Sequence, residues 1–233
     1  MDFTKNIMDL KDKIILVTGS SKGIGEATAY AFAKEKCILI VTYRSDREEA
    51  KKVAKKCEEL GSPETFLILL DVRDNDSIKN SFTEVEKKFG HIDYLINNAG
   101  VIDWEKFENE SFTDIENQLR TNLEGVIKMT SAYFPQIKEG IVNVASRAGH
   151  MAFIGRSVYV ASKFGVIGFT KSISLEYPNL KIFSVSPGAT ATAMWNFKDG
   201  VDPSWVGENI VKAIKGKVKL VDSDLPLWKM ANK

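Results

Sequence analysis

Tyr159 and Lys163 are the two residues of this sequence whose types and spacing point most directly to chemistry. They lie four positions apart, so on a helix they share one face, one turn from each other. A free tyrosine has a pKa of about 10, and a neighbouring ammonium group lowers it by favouring the phenolate. Bringing the phenol near neutrality takes roughly 3 to 4 kcal/mol. The pair is therefore a candidate proton donor and acceptor for a hydroxyl or carbonyl group.

A glycine-rich segment near the N-terminus is a second feature with chemical meaning. Its presence favours a functional rather than a merely structural interpretation of the Tyr159–Lys163 pair. The apolar run 13–18 predicts a buried strand, and a helical pattern follows to about Glu35. Between them, Gly19, Gly23 and Gly25 form a Gly-x3-Gly-x-Gly turn. Glycines let the backbone approach a pyrophosphate, and the helix N-terminus supplies N–H groups and positive potential. The segment predicts a dinucleotide site rather than a simple turn.

The end of the second predicted strand, 37–43, bears on the type of dinucleotide. Many NAD-binding proteins carry a carboxylate there, which binds the adenosine ribose. Here Arg44 occupies the region, and with Lys22 it favours a 2′-phosphate and hence NADPH over NADH. The alternative is that both are solvated cations. Ser45 is expected to cap the next helix, with Glu48 completing a capping box.

Four further apolar runs predict buried strands of the same sheet, and polar or small residues follow each of them. The carboxyl ends of parallel strands meet at one edge, where ligands bind in open α/β sheets. We therefore expect these residues to lie near the glycine turn. The runs are 65–70, followed by Asp71; 92–96, followed by 97–100; 140–145, followed by Ser146; and 180–185, followed by 186–192.

Asp71 and Asn122 each allow two interpretations. Asp71 either accepts a hydrogen bond from an adenine amino group or caps its own loop. Asn122 falls inside a predicted helix, 111–138, where asparagine costs roughly half a kcal/mol or more relative to alanine. It therefore either has a functional role or lies at the surface.

The regular alternation of strands and helices predicts the fold. Seven strands are expected, the last at 217–221, with helical segments between them and no linker. Because such crossovers are right-handed, the pattern predicts a doubly wound (Rossmann) parallel sheet in the order 3-2-1-4-5-6-7, with helices on both faces. We expect one domain over 1–233, with a cofactor half at about 1–140 and a catalytic half at about 141–233.

Composition narrows the partners. The chain has 233 residues, is 44% hydrophobic and carries a net charge of +1, so neither nucleic acid nor a membrane surface is expected as a partner. No segment has the roughly 18 consecutive apolar residues of a membrane helix. The first twelve residues lack the features of a leader peptide. Cys37 and Cys57 are too few for a disulfide framework and lack metal-ligand spacing. A cytoplasmic protein without a metal is predicted.

Several short motifs together give this chain a resemblance. They are TGSSKGIG at 18–25, Asp71-Val72, NNAG at 97–100, Asn122, Ser146, YVASK at 159–163 and PGATAT at 187–192. In this order and at these spacings they resemble the short-chain dehydrogenase/reductase family, in its single-domain NAD(P)-dependent branch. The resemblance covers nearly the whole chain. It implies hydride transfer between NADP(H) and a carbonyl or secondary alcohol.

The resemblance also implies roles for particular residues. Tyr159 is similar to the catalytic acid/base, and Lys163 to the lysine that lowers its pKa and holds the nicotinamide ribose. Ser146 would bind the substrate oxygen, and Asn122 would position a water in a proton relay. The cofactor contacts that are implied here or argued above are Gly19, Ser21, Lys22, Gly23, Ile24, Gly25, Arg44, Ser45, Asp71, Val72, Asn98, Ala99, Gly100, Tyr159, Lys163, Pro187, Gly188, Ala189 and Thr192.

The chain departs from the family pattern near the substrate and at the C-terminal edge. No glycine pair follows Val221, and the segment 193–201 is short, which suggests an open site or a bulky ligand. Arg147 and Arg156 either attract an anionic substrate or carrier, or are solvated. Tentative substrate contacts are His150, Phe153, Arg156, Met194 and Trp195, and Phe197 and Trp205 are further candidates for an apolar wall. The alternative is that this loop simply packs on the core.

The expected activity is that of a carbonyl reductase resembling the 3-oxoacyl carrier-protein reductases, or a more general one. A sugar or polyol dehydrogenase is the alternative. A non-catalytic NADP(H)-sensing regulatory protein is the alternative from another class. Association through the helices predicted at 111–138 and 157–177 would give a homodimer or homotetramer.

Overall fold

A seven-stranded parallel sheet organises the chain. The computed structural model describes residues 8–196 and 199–231. The strand order is β3-β2-β1-β4-β5-β6-β7, and every neighbouring pair is parallel. This order confirms the predicted doubly wound fold. The strands are β1 Ile14–Val17, β2 Ile38–Tyr43, β3 Thr65–Leu69, β4 Ile92–Asn97, β5 Ile137–Val144, β6 Lys181–Val185 and β7 Asp224–Leu225.

Helices cover both faces of the sheet. They are α1 Gly23–Lys34, α2 Arg47–Glu59, α3 Asn75–Phe89, α4 Phe112–Leu119, α5 Gly125–Tyr133, α6 Ser157–Glu176 and α7 Pro203–Ile214. Alternate side chains of β1 enter different layers: Ile15 and Val17 join the core under α1, α2 and α7, whereas Ile14 and Leu16 join the core under α3 and α5. Burial on both faces explains why the strands read as continuous apolar runs.

Two predicted boundaries are wrong. The predicted helix 111–138 is interrupted by a π-helical turn, Arg120–Glu124, between α4 and α5, and it gives way to β5 at Ile137. The last strand is not 217–221 but β7, which pairs with the end of β6 through Ser184 and Val185. Periodicity cannot show which part of an apolar run is in register with a distant strand, because register is set by tertiary packing.

A tight turn delivers the chain to β7. Val221 and Asp224 exchange backbone hydrogen bonds of 2.7 and 3.0 Å. The two residues between them, Asp222 and Ser223, have φ values of 52° and 56°, a left-handed conformation that favours glycine. Lys171 pairs with Asp222, and the hydroxyls of Ser174 and Ser223 lie 3.0 Å apart. The turn therefore forms without the glycine pair, held by contacts to α6.

Side-chain caps and a left-handed glycine mark the ends of several helices. Ser111 accepts from the Asp114 amide at 3.1 Å, and Gly90 ends α3 in a left-handed conformation. The capping prediction for Ser45 is wrong, because Asp46 is the N-cap of α2 and accepts from the Glu49 amide at 3.0 Å. Ser45 thus remains in the exposed loop after β2.

Other expectations concern cysteines and membranes. Cys37 and Cys57 are both buried free thiols. Burial raises the pKa of the Cys57 thiol to about 12, so it is an unreactive group in the folded protein. Within the described parts of the chain, no helix has the length and apolar character needed to cross a membrane.

Candidate active site

The glycine turn is held in place by the end of β4. The Thr18 hydroxyl accepts from the backbone amides of Asn98 and Ala99 at 2.9 and 3.0 Å. In return, the Asn98 side-chain amide donates to the carbonyls of Thr18 and Gly19. A Cβ at Gly25 would lie 2.4 Å from both the Asn98 amide nitrogen and the Gly19 carbonyl oxygen. The turn therefore requires glycine for close packing as well as for backbone conformation.

The N-terminus of α1 has the features of a phosphate site. Its N-cap, Lys22, is extended and makes no side-chain cap, so the first amides of the helix are not satisfied by a capping side chain. Gly23 has a φ of 63°, and a Cβ there would meet Thr192 at 3.4 Å. Free helix amides beside a backbone without side chains fit a dinucleotide pyrophosphate. Ser21 and Ile24 lie in the same turn, half-buried.

Lys22 and Arg44 are both exposed at the ends of the first two strands. Within residues 8–196 and 199–231, no ion pair joins either of them to a carboxylate within 4.0 Å. Asp71, in contrast, is strongly engaged: Arg73 donates to it at 2.9 and 2.6 Å. This hydrogen-bonded pair lowers the pKa of Asp71. The geometry favours loop capping for Asp71.

The second part of the edge is built on α6. Tyr159 and Lys163 share one face, and the Lys163 Nζ lies 5.7 Å from the centroid of the Tyr159 ring. Lys163 is only 4% exposed and donates to the Val144 carbonyl at 2.9 Å. Burial lowers the pKa of Lys163 to about 8. An ammonium with this pKa stays mostly protonated at pH 7.

Several effects act on the pKa of Tyr159. Burial raises it, while a hydrogen bond with Ser146 and the positive charge of Arg156 act in the lowering direction. Burial is the largest of these effects, and the expectation that Lys163 lowers the pKa of the phenol stays a prediction. The Lys163 ammonium lies over the Tyr159 ring and donates to the Val144 carbonyl, and the charge of Arg156, which sequence reasoning had not connected to the phenol, acts to lower the phenol pKa.

Asn122 lies in the π-helical turn and is fully buried. Its side-chain amide forms two hydrogen bonds with the backbone of Val101, both 2.8 Å long, and donates to Ser162 at 3.3 Å. The Ser162 hydroxyl in turn donates to the Tyr159 carbonyl at 2.7 Å. Asn122, which is unfavourable inside a helix, thus forms a buried link between the segment around Val101 and α6. π-helical turns such as this one are frequent at functional sites.

Ser146 and Tyr159 line one open cleft. Ser146 precedes a short 3₁₀ turn, Arg147–Gly149, and accepts from the Ala148 amide at 3.1 Å. The loop after β6 forms the opposite wall, where Pro187 accepts from the Arg147 amide. The lining residues are Ile24, Ile102, Trp104, Ala145, Ser146, Arg147, Ala148, Phe153, Arg156, Tyr159, Pro187, Gly188, Ala189, Thr190, Thr192 and Met194.

The remaining predicted residues lie close to these walls. Gly100 is placed so that a Cβ there would lie 3.3 Å from the Asn122 oxygen and 3.8 Å from the Lys163 Nζ. Val72 is buried against Gly125 of α5 and has no exposed side chain at the edge. Phe153, Arg156 and Met194 line the cleft, and their contact with a substrate stays a prediction.

Two candidate substrate residues, His150 and Trp205, are placed differently, and the side chains of two others are not described. His150 does not line the cleft; its Nε2 lies 3.0 Å from the Ser186 hydroxyl and 3.1 Å from the buried Asp224. Trp205 packs on the core below α1 and α7. Trp195 belongs to a short 3₁₀ turn, Ala193–Trp195, but its side chain and residue Phe197 lie outside the described part.

Sequence reasoning missed Ile102 and Trp104 as lining residues. They follow NNAG in a segment without regular structure, so no periodicity marks them. The one available signal is a tryptophan in a polar loop a few residues beyond the carboxyl end of a strand. Such loops carry binding residues more often than packing residues.

The fold and the site together define a class of protein. It is a doubly wound domain with a glycine turn suited to a dinucleotide, and at the same edge of the sheet Ser146 and Tyr159 line a cleft near the buried Lys163. The family model described as short chain dehydrogenase matches residues 13–200. The protein belongs to the short-chain dehydrogenase family. This confirms the resemblance seen in the motifs.

Known proteins agree with this assignment. The chain is 36% identical over 194 residues to the 3-oxoacyl-(acyl-carrier-protein) reductase FabG of Thermotoga maritima, covering 80% of this chain and 78% of that protein. It is 35% identical over 182 residues to the 11-beta-hydroxysteroid dehydrogenase-like protein 4A of Arabidopsis thaliana, covering 76% of this chain. It spans only 60% of the length of that plant relative.

A solved structure shows the same fold. The crystal structure of a short chain dehydrogenase from Burkholderia cenocepacia J2315, in complex with NADP, superposes with a TM-score of 0.85 at 27% identity. The alignment covers 94% of this chain and 97% of that one. Fold and family thus agree over nearly the full length of the chain.

Proposed function

We propose that this protein is an oxidoreductase that interconverts a carbonyl group and a secondary alcohol with NADP(H). The observation that carries the proposal is the convergence of Ser146 and Tyr159 on one cleft wall, with the Lys163 ammonium buried behind them. The glycine turn and the uncapped N-terminus of α1 lie at the same sheet edge. A proton donor beside a dinucleotide site is the arrangement that carbonyl reduction needs.

The residues would share the work as follows. The nicotinamide cofactor, when bound, supplies or accepts the hydride. Tyr159 donates a proton to the carbonyl oxygen during reduction and removes it during oxidation. Ser146 donates a hydrogen bond to the same oxygen and stabilises the charge that develops there. The Lys163 ammonium keeps positive charge near the phenolate that forms, and Asn122 holds α6 against the 101 segment.

The turn residues Gly19, Ser21, Gly23, Ile24 and Gly25 would hold the pyrophosphate. The adenosine part would lie near Val72 and the 98–100 segment, with Asp71 close by. The loop after β6, from Pro187 to Thr192, would bind the carboxamide.

Preference for NADP(H) is part of the proposal. Lys22 and Arg44 are exposed cations at the ends of β1 and β2, without an ion pair to a described carboxylate. A 2′-phosphate would meet both, with the loop hydroxyl of Ser45 beside them. Steady-state KM values for NADPH and NADH test this. Arg44→Gln should lower the NADPH preference about 10- to 100-fold, since charged hydrogen bonds are worth about 1.5–3 kcal/mol. The matched control, Lys212→Gln, changes an exposed cation on α7 and should leave the ratio unchanged.

The first substrate candidate is a 3-oxoacyl thioester, supported by the similarity to a 3-oxoacyl carrier-protein reductase. A sugar or polyol is the alternative. Comparing NADPH oxidation with acetoacetyl thioesters and with keto sugars separates the two. Faster turnover of the sugars would reject the thioester proposal.

A non-catalytic NADP(H) sensor is the alternative from another class. The four residues Asn122, Ser146, Tyr159 and Lys163 are all present and clustered, which is unexpected for a protein relieved of catalysis. Binding of NADPH without turnover of any carbonyl compound would favour the sensor.

Self-association and location remain proposals. Phe112 of α4 is 91% exposed, and Leu175 of α6 is 82% exposed. Large exposed apolar side chains on these helices support a homodimer or homotetramer. Light scattering that gives the mass of one chain would contradict this. A cytoplasmic location stays a prediction, which fractionation of the native source would test.

A further inference from the structure

The open cleft has a one-sided charge. Among its described lining residues are two arginines, Arg147 and Arg156, and no aspartate or glutamate. The chain as a whole is nearly neutral, with a net charge of +1. The cleft is therefore a local concentration of positive charge rather than part of a generally basic surface.

Aromatic rings organise the two cations. The Arg147 and Arg156 guanidinium carbons lie 4.9 and 5.2 Å from the centroid of Phe153, and the Arg156 carbon lies 4.0 Å from the centroid of Trp104. A guanidinium stacks through its flat face, whereas its N–H groups radiate in the plane, so one group can stack and bind a carboxylate at the same time. Contact with the rings also restricts these long side chains before a ligand arrives.

The two cations also act on each other. Burial lowers the pKa of Arg156, and the neighbouring charge of Arg147 lowers it further. Within residues 8–196 and 199–231, no carboxylate forms an ion pair with Arg147. An anion bound at Arg147 would therefore also reduce the repulsion between the two guanidinium groups. The Arg156 charge also reaches the phenol of Tyr159, so the cations and the proton donor face the same space.

We propose that the substrate is an anionic carbonyl compound, an oxo acid whose negative group binds Arg147 and Arg156. This inference rests on the proposed oxidoreductase function and narrows its substrate class. The carbonyl oxygen lies at Ser146 and Tyr159, the apolar body packs on Phe153 and Trp104, and the anionic group pairs with the arginines. Reduction adds a hydride to the carbonyl carbon and the Tyr159 proton to its oxygen, so the anionic group takes no part in the chemistry.

Matched pairs of substrates test the proposal directly. NADPH oxidation is measured with para-acetylbenzoate and its methyl ester, and with levulinate and its methyl ester. Each pair differs in one negative charge while the ketone stays the same. The wild type should favour the acid by about 10- to 100-fold in kcat/KM, because a guanidinium–carboxylate contact is a charge-assisted hydrogen bond. The preference should shrink as salt is added.

Variants of Arg147 locate the effect. Arg147→Met should reduce the acid-to-ester ratio about tenfold or more, and Arg147→Lys should keep part of it, since a lysine retains the charge but not the planar fork. Lys212→Met, which removes an exposed cation outside the cleft, should leave the ratio unchanged. The ester rate of each variant shows that it is folded and active.

The outcomes separate the two proposals. Equal or faster turnover of the esters by the wild type overturns the anionic substrate and leaves the oxidoreductase intact. If Arg147→Met instead raises the KM for NADPH equally with every substrate, the arginine serves the cofactor and the inference is wrong. If no ketone or aldehyde of any charge is turned over, the oxidoreductase proposal fails and the inference fails with it.

Discussion

The two parts of the candidate site, the glycine turn and the α6 side, are held together by different kinds of contact. At the glycine turn, the contacts are neutral: Thr18, Asn98 and the backbone of Gly19 exchange hydrogen bonds, and the cations nearby are exposed. On the α6 side, an ammonium group is 4% exposed and two arginines share a half-buried cleft. The first region is shaped by backbone, and the second by ionisable side chains.

The difference has an energetic consequence. Lowering the pKa of Lys163 from 10.5 to about 8 corresponds to about 3 kcal/mol of unfavourable burial at neutral pH. The glycine turn carries no comparable charge burial, because the backbone groups there bond to the neutral side chains of Thr18 and Asn98. A region that only positions a ligand can be neutral, whereas one that moves a proton needs charge held close to the reacting group.

Tyr159→Phe should produce the largest effect, a loss of turnover without a loss of cofactor binding. Removing the hydroxyl removes the proton donor, so kcat should fall about a thousandfold, within the range for general acid catalysis. NADPH affinity, measured by fluorescence titration, should change little. Retention of near wild-type turnover would remove Tyr159 from the proposed chemistry.

Lys163→Met should lower kcat about a hundredfold while raising the free energy of unfolding. The two opposite changes distinguish the catalytic role of Lys163 from its effect on folding. Replacing a buried ammonium by an isosteric apolar chain should raise the free energy of unfolding by about 1–3 kcal/mol at pH 7. Activity and urea denaturation, both at pH 7, measure the two effects.

The same variant has a signature in pH. The folded pKa of Lys163, about 8, lies below the ordinary value of 10.5, so between these pH values the unfolded chain binds more protons. Stability therefore rises with pH across that window: below it the full cost of burying the ammonium is present, and above it that cost is gone. Lys163→Met should remove this rise. An unchanged slope between pH 8 and 10.5 would contradict the assigned cause.

Gly25→Ala should disrupt the glycine turn, the part of the site without a buried charge. Its new Cβ would lie 2.4 Å from the Asn98 nitrogen and the Gly19 oxygen, so the turn must shift. We expect loss of about 1–3 kcal/mol of stability from overpacking, and at least tenfold weaker NADPH binding. Gly168→Ala is a matched control on α6, because a Cβ there meets nothing within 4 Å.

Ser223→Gly should have the smallest effect. It lies in the turn before β7, outside both the glycine turn and the α6 side of the site. Ser223 has a φ of 56° in the turn before β7, a conformation costing a non-glycine residue about 1 kcal/mol. Glycine relieves that cost but adds freedom to the unfolded chain, so we expect a net gain of at most about 0.5–1 kcal/mol. Kinetic constants should not change. Thermal denaturation together with NADPH kinetics tests both statements.

Local chemistry explains where prediction succeeded. The apolar runs located β1 to β6, because strands buried on both faces must be apolar throughout. The Gly19–Gly25 turn and the Tyr159–Lys163 spacing also depend only on neighbouring residues. The position of β7 was missed because a run of five apolar and basic residues looked like a strand, while the true register depended on Ser184 and Val185.

What the sequence determined by itself is the order of strands and helices and the candidate reactive groups, since periodicity, glycine and side-chain chemistry are properties of short segments. Only the tertiary structure decided which charges meet. Arg147, Phe153 and Arg156 come together with Trp104, some fifty residues away, and Lys163, which lies over the Tyr159 ring, donates to the Val144 carbonyl. A pKa depends on burial and on neighbours brought together by folding, and neither is written in the spacing of residues along the chain.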